Sequence, residues 1–252
     1  MPIRILPSNL VNQIAAGEVI ERPSSVMKEL VENALDAGAG RIEVTLENGG
    51  KTLIAVSDDG KGMSRDELAL AVERHATSKL PDDDLFNIQF LGFRGEALPS
   101  IASVSRLCIE SRAAGSNEGW QISVSGGQKG EILPSAIQNG TRIEVRDLFF
   151  TTPARLKFLK ADNFETAQCV DILQRIAMAN PMVSFYLYGD GKKKLGLNAC
   201  QGELFDCRQQ RLADIMGSEF TENSVEIAAE NEFCTISGRV GLPTYHKANS
   251  LS

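Results

Sequence analysis

The chain has 252 residues, 42% of them hydrophobic and 23% charged, with 22 glycines and 9 prolines; this is room for more than one domain and excludes a disordered, fibrous or low-complexity chain. Its 26 Lys and Arg against 33 Asp and Glu leave a net charge of −7, which excludes a uniform electrostatic hold on nucleic-acid phosphates and leaves only local basic patches for that purpose. Five cysteines, at 108, 169, 200, 207 and 234, form no C-x-x-C pair and accompany only His75 and His246, so free thiols in a reducing compartment are expected and neither a zinc site nor a disulfide framework is.

The N-terminal apolar stretch is broken by Pro7, Asn9, Asn12 and Gln13, and no run approaches the ~18–20 apolar residues of a membrane span. Neither signal peptide nor membrane helix is expected. The segment 23–38 opens on Pro23 and closes on Gly38, which predicts a helix. Ile42, Val44 and Leu46 then alternate ahead of Asn48-Gly49-Gly50 and a second apolar run, the pattern of a β-hairpin. Ser64 and Glu67 form a capping box before Leu68, Ala71 and Val72, predicting a helix to about residue 76.

Residues 77–95 mix a proline, three consecutive aspartates and two glycines with scattered large apolar groups, the composition of a long functional loop or lid. Strands are expected at 106–111, 120–124 and 141–146, joined by turns such as Gly126-Gly127 and Asn139-Gly140, then helices at 153–160 and 163–179, the latter stopped by Pro181. A strand at 183–188 leads to the turn Gly189-Asp190-Gly191. The polar stretch from about Gly196 to Cys207 reads as a domain boundary, followed by a tail whose single helix and strands are too few to close a core.

On the first helix, Met27, Leu30, Val31, Ala34 and Leu35 share one side, while Glu29, Asn33 and Asp36 cluster on the other. Taken alone this is a solvated face. Three more elements follow in order. A strand runs into Asp58-Asp59-Gly60-Lys61-Gly62, where glycines let a flat ligand approach the backbone. Leu91 to Leu98 places glycines before a helix start, where free N–H groups and the helix dipole favour phosphate. Asn139-Gly140-Thr141 opens a strand. A Walker-type G-x-x-x-x-G-K-[ST] loop is absent from the sequence.

Together these motifs, E-x-x-x-N-x-x-D-A at 29–37, D-x-G-x-G at 58–62, the Gly-rich lid at 92–95 and Gly140-Thr141, resemble the ATP-binding motifs of the GHKL superfamily of gyrases, heat-shock ATPase chaperones, histidine kinases and MutL mismatch-repair proteins. Asn12 to Pro23, His75 to Lys79, Gly92 to Leu98 and Thr152 to Arg155 are similar to signatures of the MutL group in particular. The resemblance covers residues 1 to about 200 strongly and the tail weakly. It implies an α+β fold: a Bergerat-type sandwich of a mixed, largely antiparallel sheet with helices on one face over 1–203, then the truncated start of a ribosomal-protein-like βαβ second domain over 204–252.

Carried over by position, the resemblance implies that Glu29 polarises the attacking water and that Asn33 offers its carbonyl oxygen to Mg2+. Asp58 accepts from the adenine amino group with support from Thr141, and Gly60, Gly62 and Met63 wall the base, with Ala37 also at the nucleotide. Thr77, Ser78 and Lys79, and the run Gly92, Phe93, Arg94, Gly95, Glu96, Ala97 and Leu98, meet the phosphates, so the lid should order with nucleotide. It also implies weak, backbone-directed DNA binding, for which Arg155, Lys157, Lys160 and Lys192 to Lys194 are the basic residues at hand, although a solvated face or tip is the better explanation of each taken alone. Repair-protein partners and an ATP-dependent homodimer using the arm from Gln13 to Arg22 are further implications, as is a cytoplasmic location in a bacterium or a nuclear one in a eukaryote. Family members continue past the point corresponding to Ser252, including a lysine that reaches the γ-phosphate and a C-terminal dimerisation domain. A chain ending there is expected to bind ATP or ADP with Mg2+, to hydrolyse slowly and to dimerise poorly. A nucleotide-gated interaction module without useful hydrolysis and a gyrase-type subunit stay open as alternatives. A histidine-kinase-type transferase is disfavoured because His75 lies inside the ATP motifs.

Overall fold

The computed structural model describes residues 20–74, 76 and 95–245. Helix α1 (Pro23–Asp36) has its proline in the first turn, where a missing N–H costs nothing. Val26, Met27, Leu30, Val31 and Ala34 are buried along it. It ends where the Ala37 N–H reaches the Asn33 carbonyl and Gly38, at φ 76°, donates to that of Leu35. Strands β1 (Arg41–Glu47) and β2 (Leu53–Asp58) pair antiparallel across a short 3-10 turn at Asn48–Gly50, as the alternation predicts.

Helix α2 (Arg65–Ala71) carries the expected capping box: Ser64 Oγ accepts the Glu67 N–H at 3.3 Å and the Glu67 carboxylate accepts the Ser64 N–H at 2.8 Å. These bonds hold the Glu67 pKa below its ordinary value. The helix is shorter than expected, because only Leu68 and Val72 find the core and Leu70 faces solvent. Next come α3 (Ala97–Val104), β3 (Arg106–Arg112), β4 (Gly119–Ser125), β5 (Gln128–Lys129), β6 (Leu133–Ser135) and β7 (Gly140–Arg146). The chain continues through α4 (Pro153–Leu156), α5 (Asp162–Ala179), β8 (Ser184–Gly189), β9 (Lys192–Leu197), α6 (Leu204–Met216), α7 (Ser218–Glu222), β10 (Ser224–Glu230) and β11 (Thr235–Gly241). Helix α4 stops at Leu156, ahead of the predicted 160, and Lys192 to Lys194 belong to an edge strand, where lysines discourage pairing with another chain.

The main sheet runs β5-β4-β3-β7-β2-β1-β8-β9, with β6 also on β4. Every neighbouring pair is antiparallel except β1 and β8, which are parallel. One face carries the buried pairs Val44/Val56, Leu46/Ile54, Val56/Ile143, Ile54/Val145, Leu107/Val145 and Ile109/Ile122. Helices α1, α3 and α5 cover that face. The reverse face is charged; Glu144 there bridges Arg142 and Arg146 at 2.7 and 2.8 Å. This is the mixed, largely antiparallel sheet with helices on one face that the sequence leads one to expect. Each fully buried Leu, Ile or Phe of this layer contributes roughly 1.5–3 kcal/mol, which is why the sheet can carry polar residues at one end.

Helix α6 is fastened by Arg211, which is 1% exposed. Its Nη1 donates to the carbonyls of Ala177 and Asn180 at 3.0 and 3.4 Å, and its Nη2 to those of Pro181, Val183 and Asn198 at 2.9, 2.9 and 2.8 Å. The guanidinium thus sits at the C-terminal end of α5, where helix carbonyls point outward and favour a cation. Burial still draws its pKa below the ordinary value. The boundary expected at 203/204 falls just ahead of this helix. Beyond it, β10 and β11 form a separate two-stranded sheet.

Candidate functional site

Strand alternation puts every second residue on the helix-covered face, and at one end of the sheet three such positions are polar. Asp58 ends β2 opposite Thr141 of β7, and Thr141 lies opposite Ser111 of β3. Ser111 is 0% exposed and Thr141 is buried. Ser111 Oγ lies 2.9 Å from Thr141 Oγ1 and 3.1 Å from the Gly140 carbonyl, and it accepts the Met63 N–H at 2.8 Å.

Asp58 accepts the Gly60 N–H at 2.9 Å. Burial pushes its carboxyl up to about 6, helped by the neighbouring charge of Asp59 and opposed by the backbone N–H groups of Gly60 and Thr141. A carboxylate kept mostly away from water yet only partly satisfied is typical of a group meant for a ligand donor. Asp59 serves the backbone instead, its Oδ1 taking the N–H groups of Gly40 and Arg41, both at 2.8 Å, and so fixing the entry of β1.

The loop after Asp58 is stitched down on both sides. The Lys61 N–H donates to the Ala37 carbonyl at 2.9 Å, and the Lys61 carbonyl accepts from Ala114 at 2.8 Å. A β-carbon on Gly60 would lie 2.9 Å from Ala37 Cβ, and one on Gly62, at φ +64°, would strike the Arg112 carbonyl. Both glycines thus stand where a β-carbon would collide with neighbouring protein atoms, which lets the loop close on Ala37 and Arg112. Met63 is half-buried against the core.

Glu29 and Asn33 are half-buried, as is Asp36, which departs from a fully solvated face. Glu29 lies 4.0 Å from Lys28 Nζ, while Lys28 pairs closely with Glu32 at 2.8 Å. Asn33 sits one turn before Ala37, so the polar flank of α1 ends at the loop that carries Asp58. Gly95, Glu96, Ala97 and Leu98 form the entrance of α3, with the Glu96 carbonyl accepting from Ser100 at 3.0 Å. Gly95 packs on the backbone of Ala76, so the two residues flanking 77–94 meet. His75, Thr77, Ser78, Lys79, Gly92, Phe93 and Arg94, and residues 13–19 of the expected arm, lie outside the described residues. Where the arm enters them, Arg155 Nη1 donates to the Ile20 carbonyl at 3.0 Å.

Sequence reasoning missed Ser111. The signal was present: 107, 109 and 111 alternate inward, and a serine stands at the third position where an aliphatic residue is expected. Among the described residues no helix is long and apolar enough to cross a membrane.

A mixed sheet with helices on one face, an aspartate-and-glycine loop closing one end of it and a helix flank bearing Glu29 and Asn33 define an ATPase domain of the GHKL class. In agreement, residues 21–141 match the family described as Histidine kinase-, DNA gyrase B-, and HSP90-like ATPase. The chain is similar to the solved structure of the Aquifex aeolicus MutL ATPase domain complexed with ADP, with 32% identity and a TM-score of 0.68 over 84% of this chain and 73% of that one. The chain belongs to the MutL family of DNA mismatch repair proteins. It is 57% identical over 250 residues to the MutL of Rhodospirillum rubrum, covering 99% of this chain and 40% of that protein. Its identity to the MutL of Paramagnetospirillum magneticum is 58% over 252 residues, 100% of this chain and 42% of that protein. It thus spans about two fifths of the length of these relatives.

Proposed function

We propose that this chain is the nucleotide-operated part of a mismatch repair protein, binding ATP or ADP with Mg2+ and hydrolysing ATP slowly, with the nucleotide state governing lid order, dimerisation and partner binding. The observation that carries the reading is the half-buried acceptor at Asp58, held by Gly60 and set in register with Thr141. In this reading Asp58 receives the adenine amino group, Thr141 supports it, and Gly60, Gly62 and Met63 border the base together with Ala37.

The donor set suits a hard cation, since α1 offers only oxygens from Glu29, Asn33 and Asp36. Among the described residues no group of three or more His, Cys, Asp or Glu side chains could hold a metal by itself. Asn33 would hold the ion from the protein side through its side-chain carbonyl oxygen. When bound, Mg2+ would neutralise charge on the phosphates. Glu29, one turn from Asn33, orients and polarises the attacking water. Gly95 to Leu98, with the flanking Thr77 to Lys79 and Gly92 to Arg94, supply N–H groups and cationic contacts to the phosphates.

DNA contact in this reading is weak and backbone-directed, using local lysines and arginines against an overall negative charge. Mismatch-recognition and downstream repair proteins are the partners, residues from 204 onward begin a second domain, and the protein works in the cytoplasm. Thermal-shift and turnover measurements with ATP, ADP and GTP, with and without Mg2+, test the reading. Adenine nucleotides should stabilise the protein by about 2.7 kcal/mol at a hundredfold excess over Kd. Glu29→Ala should lose turnover and keep binding. Equal stabilisation by GTP, or none by any nucleotide, refutes it, and turnover absent from wild type as well favours an interaction module.

A further inference from the structure

A hydroxyl has one proton to give, and at Ser111 two acceptors compete for it. The Met63 N–H, at 2.8 Å, occupies one lone pair of Ser111 Oγ. The proton can go to the Gly140 carbonyl at 3.1 Å or to Thr141 Oγ1 at 2.9 Å. In the first case Thr141 must spend its own proton on Ser111 and shows a ligand only lone pairs. In the second, Thr141 keeps a proton to donate. The shorter contact lies nearer the preferred O–H···O separation of roughly 2.7–2.8 Å.

The consequence lies in base chemistry. Adenine presents an amino donor beside a ring-nitrogen acceptor, whereas guanine presents a carbonyl acceptor beside a ring N–H donor. An ionised aspartate accepts only. An acceptor at Asp58 beside a donor at Thr141 fits adenine, while two acceptors side by side do not. Ser111 is fully buried and in register with Thr141, so neither water nor another side chain need set this direction.

We propose that Ser111 is a positioning residue for base selection: by handing its proton to Thr141 Oγ1 it makes the Thr141 hydroxyl a donor beside the Asp58 acceptor, and this pair selects adenine over guanine. The inference rests on the reading of Asp58 as the base-binding group. A merely structural Ser111, holding Met63 and filling space, would change affinity for all nucleotides alike.

Calorimetric titration of ADP and GDP into wild type, Ser111→Ala, Ser111→Thr, Thr141→Val and the Ser111→Ala/Thr141→Val double variant separates the two. Ser111→Ala and Thr141→Val should each narrow the ADP-over-GDP preference by roughly five- to tenfold, the worth of one hydrogen bond. The double variant should lose no more than either single one, and Ser111→Thr, which keeps the hydroxyl, should retain the preference. An unchanged ADP-to-GDP ratio in Ser111→Ala, or additive losses in the double variant, overturns the proposal. Should Ser111→Ala fail to fold, Ser111→Cys, a much weaker donor, must narrow the preference, and an unchanged ratio there overturns it too. A wild type indifferent to the base would instead refute the role of Asp58, and this inference with it.

Discussion

Replacing Asp58 by asparagine should make the empty protein more stable while blinding it to adenine. The carboxyl rises from 3.8 to about 6 in the folded chain, chiefly through burial, and a rise of that size corresponds to at most about 3 kcal/mol of differential free energy. Because the folded-state value lies above the unfolded one, this contribution to stability is fully present below the unfolded pKa and is lost as the pH rises through about 6. Asparagine removes the charge yet keeps an acceptor for the Gly60 N–H. Its amide then needs a partner of its own, and part of the site meets solvent, so the net gain at about pH 7.5 should be about 1–2 kcal/mol. At ~2–4 °C per kcal/mol for a chain of this size, Tm without nucleotide should rise by about 2–8 °C. Added ADP, which should raise the wild-type Tm, should do nothing to the variant. Thermal melts with and without ADP, from about pH 4.5 to 7.5, read both effects together. A lower Tm for the unliganded variant at the upper end, or the same dependence of Tm on pH in both proteins, would refute the argument that the half-buried charge is held against the interest of the fold.

Nucleotide affinity should weaken as the pH falls below about 6, where protonation of Asp58 removes the charge that strengthens its bond to the adenine amino group. The loss should approach at most roughly tenfold per pH unit in calorimetry. Gly62→Ala should cost more than about 2 kcal/mol in chemical denaturation, since the backbone there has φ +64° and a β-carbon meets the Arg112 carbonyl. Arg211→Ala should cost about 3 kcal/mol or more, by leaving buried carbonyls at the end of α5 without their donor. Arg211→Lys should restore only part of this, because an ammonium cannot span the same carbonyls as a planar fork.

The elements most legible in the sequence were those whose local chemistry and burial agree. Pro23, the apolar stripe and Gly38 bounded α1, the alternation at 42, 44 and 46 gave β1, and Ser64 with Glu67 gave the start of α2. The misread ones depend on partners distant in the chain. Lys192 to Leu197 has a charged start and becomes a strand only because β8 offers it an edge. The end of α2 is set by where burial runs out. At the site, the spacing of Glu29, Asn33 and Asp58 stood out, but the reason for Gly60 and Gly62 did not, because the atoms they avoid belong to Ala37 and Arg112. Ser111 was invisible for the same cause: its meaning comes from lying across the sheet from Thr141.

The parallel pairing of β1 with β8 has a consequence for biosynthesis. β1 is made early and acquires its second neighbour only when Ser184–Gly189 has emerged, while the polar row waits for β3 and β7 to slot in beside β2. At a translation speed of ~5–20 residues per second the nascent hairpin spends on the order of ten seconds with unsatisfied edges before the sheet closes around it. A ribosome-bound chain should therefore gain resistance to proteases late and in one step.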